Sequence, residues 1–271
     1  MIKPLKNTAA AGLGLLFLIG CAGAAATEES DQSATTKSDG AIQATNPNQG
    51  PEQQAAKFEG AWQLQNVKDN QVVMLLQDGF FTVAMYDQQN KQFLGTTGGT
   101  YSIAGDKLTI NQEFNTFDST MVGSSSIADF KLENNQWMIS NGQETENWER
   151  IQENTSSPLA GTWRITGRER DGQMNTMRPG PRKTLKVLSG TRFQWIAFNS
   201  ETGQFSGTGG GTYTAEDGKY TEHIEFFSRD SSRVGISLSF NFEVKDGNWH
   251  HSGQSSKGSP VNEIWSRISN D

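Results

Sequence analysis

A chain of 271 residues with 34% hydrophobic and 20% charged residues can build one large domain or two small ones. Its formal charge is −7, and removing Lys3 and Lys6 with the first twenty residues takes it to −9. Such an acidic body repels nucleic acid and anionic lipid at long range, which argues against a nucleic-acid partner and against membrane attachment through a basic patch. Cys21 is the single cysteine, so neither a disulfide framework nor a cysteine metal cluster is available.

The chain opens with a short positive segment, Met1 to Lys6, and an apolar stretch from Ala9 to Gly20. A spanning helix needs about 20 apolar residues, so this run suits a secretory signal. It ends Leu18-Ile19-Gly20-Cys21, which resembles the lipobox of bacterial lipoproteins. That resemblance implies cleavage of residues 1–20, acylation of Cys21 and export across the inner membrane. Ala22, where an aspartate often signals inner-membrane retention in that family, points to the outer membrane. Two or three acyl chains anchor a protein durably, which one chain does not. From Cys21 to Lys57 there is no aromatic residue, and Ala, Thr, Ser, Gln, Asn and Glu dominate. Such a segment buries too little apolar surface to fold, and residues 21–57 are expected to form a disordered tether with a span of roughly 30–35 Å.

The remainder is a duplication. Asp78 to Trp137 aligns without gaps on Gly190 to Trp249 at an offset of 112, with 20 of 60 residues identical. Gly60-Ala-Trp62 matches Gly161-Thr-Trp163, and Trp148-Glu-Arg150 matches Trp265-Ser-Arg267. The repeat has the length of a small domain, giving units at 58–152 and 158–271 with a linker at 153–157. The second copy is longer at Arg168 to Pro181 and in Ser252 to Pro260, both read as loops.

Each copy reads as about eight short strands. Val234, Ile236, Leu238, Phe240, Phe242 and Val244 alternate with small or polar residues, as do Phe81, Val83 and Met85. Turn signals recur at Gly105-Asp106, Asn134-Asn135, Asp217-Gly218 and Asp246-Gly247. The expected fold is all-β: two tandem antiparallel up-and-down barrels, with a β-sandwich as the alternative, because closure removes exposed strand edges.

Gly-x-Trp in the first strand with an arginine in the last resembles the lipocalin-like (calycin) barrels. The resemblance implies that Trp62 with Arg150, and Trp163 with Arg267, close one end of each barrel through a cation–π contact. The second repeat is also similar to a lipocalin-like domain of secreted bacterial proteins of unknown function. This likeness rests on Phe193-Gln-Trp-Ile-Ala-Phe198, Gly207 to Tyr213, Tyr220 to Phe226 and Trp249-His-His251. It implies a fold and no particular chemistry.

Candidate chemistry is confined to the second copy. Gly207 to Thr212 lacks the Lys-Ser/Thr of a phosphate loop and matches Gly95 to Thr100, so it reads as a glycine-rich hairpin or bulge. All three histidines, His223, His250 and His251, lie there. Strand parity turns Tyr220, Glu222, Ile224 and Phe226 inward, as it does Leu108, Ile110 and Phe114 in the first copy. Glu222 then replaces Ile110, and His251 replaces Ile139. Buried acids and histidines are costly unless paired or used, so a partly polar cavity lined by Phe193, Trp195, Glu222 and His251 is expected. The competing reading is that these two groups pair with each other or sit at a wet rim. His223 and Glu225 share the opposite face, too few for a metal, and Arg229, Asp230 and Arg233 suit surface pairs around a turn. No catalytic motif, metal site or cofactor signature is readable.

Three functions compete. A membrane-anchored binding module would hold a small amphiphilic or polar ligand in the second barrel. An envelope protein without a ligand would present two β-domains to a protein partner. An enzyme would use Glu222 and His251 as acid and base.

Overall fold

A computed structural model describes residues 55–153 and 155–268. The signal, Cys21 and the tether as far as residue 54 lie outside the described residues. The fold is all-β, with two closed eight-stranded antiparallel barrels in tandem. The first runs β1 (Gly60–Leu64), β2 (Gln71–Gln77), β3 (Phe80–Asp87), β4 (Gln92–Ala104), β5 (Lys107–Asn115), β6 (Ser125–Glu133), β7 (Gln136–Ser140) and β8 (Thr145–Arg150). Pairing of Trp62 with Arg150 and Leu64 with Trp148 closes it. The second comprises β9 (Gly161–Arg170), β11 (Arg182–Leu188), β12 (Arg192–Asn199), β13 (Phe205–Glu216), β14 (Lys219–Phe227), β15 (Ser237–Lys245), β16 (Asn248–Gln254) and β17 (Pro260–Arg267). It closes through β9 and β17. Closure settles the alternative between barrel and sandwich.

Residues 55–57 do not belong to the tether. Ala55 and Phe58 close a turn, and the Phe58 ring is fully buried against Phe130 and Trp137. Within the second copy's longer first loop, β10 (Gln173–Thr176) pairs with the outer half of β9 around an Asp171-Gly172 turn. That segment is therefore a hairpin and not only a loop. The long run from Val234 to Val244 also divides. Asp230 caps a 3-10 turn at Ser231–Arg233, Gly235 has φ +91°, and the strand begins at Ser237. The first copy repeats this with Asp118 capping Ser119–Met121.

Two parity expectations fail for one physical reason. A bulge between Ile224 and Phe226, opposite Gly210 and Gly211, shifts the alternation by one residue. A side chain at Gly211 would strike the His223 carbonyl at 2.1 Å, and one at Gly99 the Asn111 carbonyl at 2.0 Å. Phe226 and Phe114 consequently turn out of their barrels, and Phe227 turns in. Glu225, expected on a solvated face, also reaches the seam between the barrels.

That seam is an apolar interface formed by the outer faces of β2, β3 and β5 against β11, β12 and β14. Its contacts obey the 112-residue offset. Tyr86 stacks on Phe226 at 4.7 Å, while their counterparts Phe198 and Phe114 meet at 4.8 Å. Phe93 stacks on its own counterpart, Phe205, at 6.3 Å. Thr82 donates to its counterpart Gln194 at 2.7 Å, and Gln194 donates to both Thr96 and Thr208. The two copies thus pack like the halves of a two-fold dimer, each presenting the same patch.

The barrels lie side by side with their open ends at the same end. Phe93 with Phe205, and Lys183 with Glu113 at 2.7 Å, meet near the open ends. Asp78 takes the Thr162 amide at 2.7 Å and Arg267 at 2.9 Å near the closed ends. Glu153 takes Ser189 and Thr191 at that end as well. The described chain begins at residue 55, and Phe58 packs beside the closed end of the first barrel, opposite the mouths.

Candidate functional site in the second barrel

The closed ends carry the two tryptophan–arginine pairs. Arg150 lies 4.2 Å over Trp62 and donates to the carbonyls of Glu59 and Lys57, which plugs the first barrel. Arg267 is 6.0 Å from Trp163 and is drawn aside to Asp78. Each tryptophan also donates its indole N–H to a carbonyl four residues before it, Phe58 or Leu159.

Between plug and mouth the two interiors diverge. The first is filled by Met74, Leu108, Ile110, Trp137, Ile139 and Trp148, with Glu146 taking the Trp148 indole at 3.0 Å. In the second, Lys186 stands at the Met74 position, Glu222 at Ile110 and His251 at Ile139. All three are buried, at 5%, 5% and 3% exposure. Trp137 is retained as Trp249, and so is the glutamate–tryptophan pair, with Trp265 donating to Glu263 at 3.1 Å.

Lys186 donates to Glu222 at 2.8 Å. Its ammonium sits in an aromatic cage, 4.8 Å from the Tyr220 ring centre, 4.9 Å from Trp249 and 5.4 Å from Trp265. His251 Nδ1 lies 3.4 Å from Glu263, which also takes Arg168 at 2.7 Å from the mouth side. Burial, and then the nearby Lys186 charge, push the His251 imidazolium pKa below its ordinary value. Burial alone would raise Glu263, but the His251 hydrogen bond and the Arg168 charge outweigh it and hold the carboxyl at about 2. The lowered His251 pKa favours a neutral imidazole, and the Glu263 carboxylate beside Nδ1 favours the proton there. His251 Nε2 is buried and has no hydrogen-bond partner among the described residues. Trp249 Nε1 is unpartnered too, but so is its counterpart Trp137 Nε1, so that feature belongs to the fold.

Phe193, Trp195, Glu222 and His251 all turn into the second barrel. Phe193 is fully buried against Tyr213 and Tyr220. Trp195 is half-buried toward the mouth and packs on Phe227, and both rings occupy the space that Gly209 leaves. Glu222 and His251 do not bond to each other, because each has another partner, which removes the direct contact expected of an acid–base couple. The side chains fill the interior. Pockets of about 340 and 600 Å³ lie elsewhere, at the linker and at the first barrel's mouth.

His223 is exposed and bonds Ser237, while Glu225 takes Arg192 at 2.9 Å and the Tyr86 hydroxyl at 2.6 Å. The two are not brought together, and no group of three metal-ligating side chains occurs among the described residues. Asp230 pairs with Arg233 at 3.0 Å, but Arg229 turns to the Ser206 carbonyl instead. Gly207 to Thr212 lies within β13, as a strand and not a phosphate loop. Sequence reasoning missed Lys186, Glu263 and Arg168. Aligning Lys186 with Met74 carried the same signal as Glu222 with Ile110. Glu263 had none, because Glu146 matches it, and Arg168 begins the inserted hairpin.

No curated protein matches the chain. Among solved structures, it is aligned with the DNA polymerase III β subunit of Thermotoga maritima at 10% identity, over 79% of this chain and 77% of that one, with a TM-score of 0.12. The β chain from Streptococcus pneumoniae aligns at 12% identity over 78% and 76%, also at a TM-score of 0.12. Likeness at that level carries no argument about fold or function. Residues 158–271, the second barrel with its polar interior, match the family described as a domain of unknown function, DUF4488.

Proposed function

We propose that the chain is an envelope lipoprotein, anchored through Cys21, whose second barrel is a binding module for a small polar or amphiphilic ligand. The observation that carries the binding reading is the contrast at equivalent interior positions. Met74, Ile110 and Ile139 pack the first barrel, whereas Lys186, Glu222 and His251 make the second one polar, with His251 Nε2 left without a partner. Buried ion pairs add little stability over an apolar core of the same volume, so stability gives little reason to keep them. A ligand donating to Nε2 and reaching both Glu222 and Lys186 would use all three. It would enter at the mouth by displacing Trp195 and Phe227, which only half-bury there.

Anchoring rests on the sequence around Cys21. Native mass spectrometry of the protein extracted from its membrane tests both parts. Acylation of Cys21 and a bound small molecule, lost in Lys186→Met/Glu222→Ile/His251→Ile, are expected. An acylated protein without a bound molecule supports the ligand-free envelope role, which the filled interior favours. An unmodified Cys21 removes the anchor.

A further inference from the structure

The hairpin that only the second copy carries has no part in the barrel interior. In the first copy β1 and β2 are joined by residues 65–70, whereas in the second β9 and β11 are joined through β10 and an arginine-rich return. The hairpin is held in place: Asn262 donates to Glu169 at 2.6 Å, Arg164 donates to the Gly180 carbonyl at 2.7 Å, and the Met177 amide bonds Thr166.

Three features converge on it. First, β10 pairs on one side only, with β9, so its outer edge is open. The Met177–Thr166 bond fixes the alternation, and the backbone groups of Met174 and Thr176 face that edge. Second, Met174 and Met177 are 38% and 41% exposed, flexible apolar side chains that adapt to varied partners. Third, the flanking Arg170, Arg178 and Arg182 are exposed and form no ion pair among the described residues. Arg168 and Lys183, by contrast, are already taken by Glu263 and Glu113. Unpaired arginines are conspicuous on a chain of pI about 5.1.

An open strand edge offers main-chain hydrogen bonds, methionines offer apolar contact, and guanidinium groups grip carboxylates in bidentate fashion. We infer that the β10 edge docks an extended acidic peptide segment of a partner protein by strand addition. A lipid surface fits less well, since the hairpin stands at the mouth end, away from the chain's entry. A sugar polymer would leave the strand edge unused. The inference is independent of a ligand inside the barrel.

The test is fluorescence anisotropy of the full chain with a labelled hexapeptide alternating Glu and Thr. Saturable binding is expected, weakened by about tenfold or more in Arg170→Glu/Arg178→Glu/Arg182→Glu. N-methylation of alternate peptide amides, which leaves the protein untouched, is expected to weaken it as much, and a Lys–Thr peptide is expected not to bind. Equal affinity of the N-methylated peptide, or equal competition by dextran sulfate, would show a general polyanion patch and overturn strand addition. Absence of binding at about 1 mM peptide would overturn the inference altogether.

Discussion

The two barrels share topology, plug and seam, and they differ in what fills the middle. In the first, Met74, Ile110 and Ile139 pack against Trp137 and Trp148; in the second, the same places hold a caged lysine, a glutamate and a histidine. The difference teaches that closure does not require a strongly polar interior. The first copy closes around apolar side chains with one buried carboxylate, Glu146. The second carries four buried polar groups, Lys186, Glu222, His251 and Glu263, held by pairing.

The sharpest way to break the comparison is to unbalance one pair. Lys186→Met alone gives the second barrel the first barrel's residue but leaves Glu222 buried and unpaired, and a loss of about 3–5 kcal/mol is expected in urea unfolding. Next in size is the seam. Phe226→Ala and its counterpart Phe114→Ala are expected to cost about 3 kcal/mol each, and about equally, because each buried ring packs on the equivalent aromatic of the other barrel, Tyr86 or Phe198. Unequal costs would deny the two-fold equivalence.

Acid separates the barrels further. His251 is lowered in the folded state, so the stability it confers is present above its ordinary pKa and drains away as pH falls through the folded value. Glu263, held at about 2, contributes stability present above the ordinary carboxylate value of 4.5 and lost as pH drops from there towards 2. Amide protection, measured against the intrinsic exchange rate at each pH, is therefore expected to fall first in the second barrel as pH falls, and His251→Ile is expected to remove the onset nearest neutrality. The smallest effect concerns the plugs. Arg150→Ala is expected to lower stability by about 1–2 kcal/mol and Arg267→Ala by less than about 1 kcal/mol, since Arg150 lies closer to its tryptophan and is half-buried.

Much of this was legible in the sequence. The repeat, the two-residue turns and the period-two alternation lead to the barrels, and comparing aligned positions leads to Glu222 and His251. Parity failed where chain geometry, not residue type, decides direction. A bulge at the same place in each copy sent Phe114 and Phe226 to the seam. The seam had a signal that alternation obscured: Val72 to Leu76 and Phe80 to Tyr86 run almost without polar residues, the pattern of strands buried on both faces. Thr82 and Ala84, read as the outward half of an alternation, are buried against the other barrel. How a pair is satisfied stayed out of reach, because Glu222 meets Lys186 only once three strands are brought round.

The most direct measurement is the urea unfolding free energy of Lys186→Met/Glu222→Ile/His251→Ile, which gives the second barrel the first barrel's residues at these three interior positions. Stability equal to the original, or higher by about 1–4 kcal/mol, is predicted if the polar interior serves a ligand and not the fold. A loss of several kcal/mol would show that the buried pairs hold the barrel together, and would contradict the account.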